Sequence, residues 1–146
     1  MRALGIDLGS KRIGVALSDS RGALATPYEV VARSGSRERD HERIRALASE
    51  AGAECLVVGL PLSLDGSIGP AARAAMDEAE ELAAATGLPV ELWDERLTTV
   101  SADRDLLALE LNAPARRRVV DKVAASIMLQ AWLDHRHPPP AEDPTP

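Results

Sequence analysis

Apolar and polar positions alternate in short bursts along the first part of the chain. Ala3-Leu-Gly-Ile6 ends at Asp7-Leu-Gly9-Ser-Lys-Arg12, and Ile13-Gly-Val-Ala-Leu17 ends at Ser-Asp-Ser20. Two short strands joined by a tight turn account for both. Pro27-Tyr-Glu-Val-Val-Ala32 predicts a third strand. Ser34-Gly-Ser36 then offers a cap for a charged helix from about Arg37 to Ala51, where Ile44, Leu47, Ala48 and Ala51 share one face and Gly52 ends the run. Glu54 to Gly59 carries an unbroken apolar body, the mark of a strand covered on both sides, and Leu60 to Gly69 is rich in turn residues. Pro70 to Thr86 reads as a helix, with Pro at its start and Gly87 at its end. Val90-Glu-Leu-Trp93 predicts the fifth strand, and a further helix is expected from a cap near Thr98 to about Leu111. After a predicted loop from Asn112 to Arg118, Val120, Val123, Ala124, Ile127 and Ala131 recur at helical steps.

The order is β-β-β-α-β-α-β-α-α. Three consecutive strands followed by alternation predict an α/β domain with a five-stranded mixed sheet, antiparallel over the first three strands and parallel for the fourth and fifth, flanked by helices. With 146 residues a single domain is expected, spanning 1–137. Five prolines between Pro138 and Pro146 predict a disordered tail.

Composition narrows the function classes. A net charge of −6 argues against a protein that coats nucleic acid through bulk charge. The single Cys55 excludes an intramolecular disulfide and a cysteine-rich zinc site, and its apolar neighbours predict a buried small hydrophobe. The longest uncharged stretch, Cys55 to Leu64, is too short to span a bilayer, and Asp7 interrupts any signal-like apolar core, so a cytoplasmic protein without membrane association is expected. Tyr28, Trp93 and Trp132 are the only aromatics. The core must be aliphatic, and no platform exists for stacking single-stranded bases, which leaves backbone, shape or duplex as what a nucleic-acid partner would offer.

Three acids fall where side chains reach the end of a sheet: Asp7 closing the first strand, Glu95 just after the fifth, and Asp121, expected on the first turn of the last helix. Ligand crevices form at the carboxyl ends of parallel strands. Oxygen ligands suit Mg²⁺ or Mn²⁺, which activate water and stabilise a leaving oxygen in phosphodiester hydrolysis. Each acid taken singly also has a structural reading: Asp7 as a turn residue, Glu95 as a partner of Arg96, and Asp121 as a favourable charge at a helix N-terminus.

Gly5-Ile-Asp-Leu-Gly9 with Arg12-Ile-Gly-Val-Ala16, Val58-Gly-Leu-Pro-Leu62 with Asp65-Gly66, Asp94-Glu-Arg-Leu-Thr-Thr99, and Asp121-Lys-Val-Ala-Ala125 with Ile127-Met-Leu-Gln130 together resemble the YqgF family, also called RuvX. The blocks stand in the family's order from Ala3 to about Leu133. The resemblance implies an RNase H-like three-layer fold, kinship with Holliday junction resolvases, and a role in maturing the 5′ end of pre-16S ribosomal RNA. It makes Asp7, Glu95 and Asp121 the metal-binding catalytic acids, with Mg²⁺ or Mn²⁺ as cofactor and structured RNA or branched DNA as partner. The fourth strand ends in Gly59-Leu-Pro, where many RNase H relatives supply an acid, so a fourth carboxylate would have to come from Asp65.

An acidic chain needs local basic surfaces to meet a polyanion. Arg116, Arg117, Arg118 and Lys122 surround Asp121 in sequence and are expected at backbone phosphates. Lys11 and Arg12 follow Asp7 in a glycine-containing turn, Arg96 follows Glu95, and Thr98 and Thr99 offer hydroxyls at an expected helix start, so all five are further nucleic-acid candidates. Five arginines lie between Arg33 and Arg45, offset by three acids; Arg37 to Arg45 is expected to form a solvated helix face with alternating charges, and His41, His135 and His137 carry no expected chemistry. Alternatives remain at this stage. A junction resolvase would need a symmetric dimer, whereas a trimming nuclease works as a monomer or homodimer. Gly5-Ile-Asp-Leu-Gly9-Ser10 also resembles the phosphate-binding hairpin of actin-like and sugar-kinase ATPases, which need two such domains, and a non-catalytic module binding RNA, ribosomes or transcription machinery is a further possibility.

Overall fold

The apolar bursts become strands in the computed structural model, which describes residues 1–98 and 113–136; for 113–119 only the backbone course is described. The elements are β1 (Ala3–Leu8), β2 (Arg12–Ser18), β3 (Ala25–Ala32), α1 (Arg37–Ala51), β4 (Cys55–Leu60), α2 (Pro70–Thr86), β5 (Val90–Asp94), a single 3₁₀ turn (Glu95–Leu97) and α3 (Ala113–Arg136). The five strands form one sheet in the order β3-β2-β1-β4-β5. β1, β2 and β3 pair antiparallel, while β4 lies parallel to both β1 and β5. This is the mixed sheet expected from the element order.

Period-two alternation divides each strand between two cores. Leu4, Ile6, Ile13, Val15, Leu56 and Val58 face α1 and α2, where they meet Ile44, Ala48, Ala79 and Leu82. Ala3, Ala16, Cys55, Val57 and Trp93 face α3 and meet Ala124, Ala125, Met128, Leu129 and Trp132. Each fully buried Leu or Ile in these layers contributes about 2 kcal/mol of apolar transfer. Cys55 is the buried hydrophobe expected; burial, aided by the charge of Glu91, pushes its thiol up and leaves it a poor nucleophile.

One expectation is corrected. The segment Asn112 to Arg118, expected as a loop, is helical from Ala113 onward, so Asp121 sits about two turns into α3 rather than on its first turn. Pro114 is tolerated because it falls in the first turn, where its missing N–H has no intrahelical partner to lose, and alanine and arginine are good helix formers. The reading of Asp121 as a helix N-terminal charge falls with that correction. The expected helix from Thr98 to about Leu111 lies outside the described residues after Thr98, as does the proline-rich tail.

α1 carries the solvated charged face expected of it, with Arg37, Glu38, Arg39, Glu42, Arg43 and Arg45 exposed. Ser36 caps it by accepting from Arg39 N, and Asp40 and His41 are buried on its inner side. Arg33, at the end of β3, donates Nη1 and Nη2 to Glu78 of α2 at 2.7 and 2.9 Å and Nε to Gly9 O at 3.0 Å. His41 Nε2 lies 2.7 Å from Glu78 Oε2. Burial opposes ionisation of Glu78, yet hydrogen bonds from Arg33 and His41, with the charges of Arg33 and Arg37, hold its carboxyl below the ordinary 4.5. Because the folded value is the lower one, the stabilisation is present above pH 4.5 and is lost as pH falls through the folded value. Glu78→Gln keeps the shape but removes the charge facing two arginines. It is expected to lower stability by about 2 kcal/mol, about 6 °C in Tm, at neutral pH, with the difference from wild type shrinking in acid. Thermal melts across pH check it; an equal loss at every pH would count against the ion-pair account.

Candidate active site

Asp7 and Glu95 line one cleft of about 560 Å³ at the carboxyl ends of β1 and β4, together with Ser10, Gly59, Pro61, Ala71, Ala74, Glu78 and two arginines, Arg33 and Arg37. A larger hollow of about 970 Å³ between α1 and α2 contains none of the three acids. Asp7 is only 8% exposed and belongs by alternation to the α3-facing side of β1. Across the ladder it pairs with Gly14 of β2, and one step beyond the Ile6–Val58 pair its other neighbour is Gly59 of β4.

Those two glycines admit the other two acids. A Cβ on Gly14 would lie 2.2 Å from Asp121 O, so the α3 backbone rests directly on β2 beside Asp7. A Cβ on Gly59 would lie 2.5 Å from Glu95 Oε1 and 2.8 Å from Met128 Sδ, so the Glu95 carboxylate occupies the space above β4 that a side chain would fill. The missing acid at the end of β4 has a steric consequence: Gly59 makes room for Glu95. The 3₁₀ turn is held by Asp94, which accepts from Arg96 N at 3.0 Å, and by Thr98, whose Oγ1 donates to Glu95 O at 3.0 Å.

Asp121 takes a different partner. Arg12 Nε donates to Asp121 Oδ2 at 2.7 Å. Asp7 and Glu95 thus share a cleft, while Asp121 stands beside Asp7 across Gly14 and is bound to Arg12. Among the described residues no three acidic, histidine or cysteine side chains form a group placed to hold one metal ion. The donor chemistry nevertheless fits a hard divalent cation: carboxylates at a strand end, with Gly59 shaped to admit Glu95.

The remaining sequence candidates are distributed unevenly. Lys11 is exposed on the β1–β2 turn, next to Arg12, and Lys122 is half-buried on α3. Arg96 is engaged: its Nη2 lies 2.7 Å from Asp94 Oδ2 and its Nη1 donates to Leu64 O at 3.3 Å. Thr98 closes the 3₁₀ turn. Arg116, Arg117 and Arg118 lie on α3 ahead of Asp121, but their side chains, like Thr99, lie outside the described residues. Asp65 does not line the cleft; it accepts from Ser67 N at 2.9 Å and Ser67 Oγ at 2.6 Å, bonds that hold its carboxyl below the usual range. Sequence reasoning missed Arg33, Arg37 and Glu78 as cleft residues. Arg33 and Glu78 are 45 positions apart, and only the packing of α2 beside the end of β3 reveals the pair.

A carboxylate cleft at the end of a β3-β2-β1-β4-β5 sheet, with a long helix laid across β1 and β2, is the arrangement of the RNase H-like fold. A solved structure with that fold, the Thermus thermophilus RuvC in complex with a Holliday junction substrate, superposes with a TM-score of 0.58 at 20% identity, covering 94% of this chain and 97% of that one. The chain belongs to the RuvX family, described as Holliday junction resolvase, whose model matches residues 1–135. A relative from Myxococcus xanthus is 48% identical over 139 residues, covering 95% of this chain and 91% of its own length. Another from Pelotomaculum thermopropionicum is 47% identical over 142 residues, covering 97% and 92%. Both bear names marking them as candidate pre-16S rRNA nucleases.

Proposed function

We propose that this protein is a divalent-metal-dependent nuclease that hydrolyses phosphodiester bonds in structured RNA, and that its substrate is the 5′ region of pre-16S rRNA. The observation that carries the reading is the convergence of Asp7 and Glu95 in one cleft with Asp121 on the far side of Gly14. Similarity to relatives named for pre-16S rRNA processing supports the choice of RNA. Asp7, Glu95 and Asp121 would hold Mg²⁺ or Mn²⁺, which when bound would supply a Lewis acid to lower the pKa of water and neutralise charge on phosphate oxygens. The chain's own contribution is positional. β1 fixes Asp7 in a buried setting, Gly59 lets Glu95 lie over β4, and Arg33 and Arg37 place positive charge along the same cleft. Lys11, Arg12, Arg96, Thr98, Thr99, Arg116, Arg117, Arg118 and Lys122 are assigned to the nucleic-acid backbone. Among the described residues no helix is long and apolar enough to cross a membrane. A cytoplasmic site of action follows from the proposed ribosomal-precursor substrate.

A second reading is a Holliday junction resolvase, favoured by the family description and by the fold shared with RuvC bound to a junction. It requires a homodimer with paired cuts, whereas the RNA reading is met by a monomer or homodimer. Labelled pre-16S 5′ fragment and a four-way DNA junction, incubated separately with Mg²⁺, Mn²⁺ or EDTA, separate the two. Cleavage of the RNA fragment with either metal and not with EDTA is expected. Cleavage of the junction alone would transfer the assignment to the resolvase. Inertness on both with metal bound would leave a binding module.

A further inference from the structure

The hydrogen bond between Arg12 and Asp121 ties a residue assigned to the nucleic-acid backbone to a residue assigned to the metal. Asp121 does not line the cleft that holds Asp7 and Glu95, although its backbone is fixed against Gly14 beside Asp7. The α3 backbone at Asp121 is therefore in place beside β2, and the carboxylate it carries is held by Arg12. Its side chain is 25% exposed and that of Asp121 17%, so the guanidinium is reachable from outside. It stands at the first position of β2, immediately after exposed Lys11, on the hairpin that leaves Asp7.

We propose that Arg12 is a substrate-sensitive latch on Asp121. Without nucleic acid the guanidinium holds the carboxylate and the metal site is incomplete. A backbone phosphate arriving at the Lys11–Arg12 edge takes the guanidinium in its place, and Asp121 turns to join Asp7 and Glu95. The exchange is physically balanced. A partly exposed ion pair is worth little, whereas an arginine fork matches the two free oxygens of a phosphodiester. Metal and nucleic acid then bind with positive, reciprocal coupling. The protein without substrate carries a weakened metal site, which limits hydrolysis to a bound phosphate chain. This inference rests on the metal-site reading above.

The test is a Mn²⁺ titration followed by loss of the free-ion electron paramagnetic resonance signal, without nucleic acid, on wild type, Arg12→Gln, Asp121→Asn, the double variant and Asp7→Asn, with circular dichroism confirming the fold. Arg12→Gln is expected to bind Mn²⁺ about tenfold more tightly than wild type while cleaving poorly. The gain should vanish in the Asp121→Asn background. Unchanged or weaker binding in Arg12→Gln overturns the latch. So does a gain that persists in Asp121→Asn, since the removed charge would then act on the whole cleft rather than through Asp121. If Asp7→Asn binds Mn²⁺ as wild type does, the metal-site reading itself fails and takes the latch with it. If Arg12→Gln does not fold, a phosphorothioate RNA duplex added to wild type should tighten Mn²⁺ about tenfold and do much less in Asp121→Asn. Equal tightening in both overturns the proposal.

Discussion

Asp7→Asn is expected to abolish metal-dependent cleavage, lowering the rate by about three orders of magnitude or more, while shifting Tm by no more than about 2 °C. Asparagine is nearly isosteric with aspartate, so the buried position at the end of β1 keeps its packing. The negative charge is lost, and with Glu78 and Glu95 lining the same cleft its removal adds no repulsion between carboxylates. A thousandfold loss corresponds to about 4 kcal/mol of transition-state stabilisation, within the range a metal centre supplies. Initial rates on the RNA fragment, measured beside thermal melts, decide it. A folded variant retaining a tenth of the wild-type rate would remove Asp7 from the proposed chemistry.

The largest expected effect on stability comes from one methyl group. Gly14→Ala places a Cβ 2.2 Å from Asp121 O and 2.8 Å from Asp121 C. Both are backbone atoms of α3, so no rotamer change relieves the contact, and the helix must move as a body. That movement disturbs Ala124, Ala125, Met128 and Leu129, all buried against the sheet. A cost of about 3 kcal/mol is expected, about 10 °C in Tm, together with loss of cleavage because Asp121 leaves its place beside Asp7. Urea and thermal denaturation check the first part. A variant as stable as wild type would mean that α3 does not rest on β2 as described.

Much of this architecture was legible in the sequence because local chemistry and packing agree. Pro70 and Gly87 bracket α2 as expected, and the apolar body from Cys55 to Gly59 became a central strand with helices on both sides. The start of α3 was misread because Asn-Ala-Pro-Ala followed by three arginines has the composition of a loop, while its helicity depends on Pro114 falling in the first turn. Asp7 and Glu95 were legible as strand-end acids, and the structure brings both to one cleft. The Arg33–Glu78–His41 cluster was not, since a charged helix on paper does not reveal which of its residues turn inward. The function of Gly14 and Gly59 was equally hidden. In a strand sequence a glycine signals weakness or a turn, and only the third dimension shows that a helix or a carboxylate needs the vacant position.

α3 works as a ruler. It touches the sheet above Gly14 at Asp121 and above Gly59 at Met128, seven residues and about two turns apart. Adding or deleting one residue between those marks would rotate one contact by about 100° relative to the other. Either the acid or the methionine would then face away from the sheet. Length variation within the family should therefore be tolerated ahead of α3 and at its far end, but not across the interval from Asp121 to Met128.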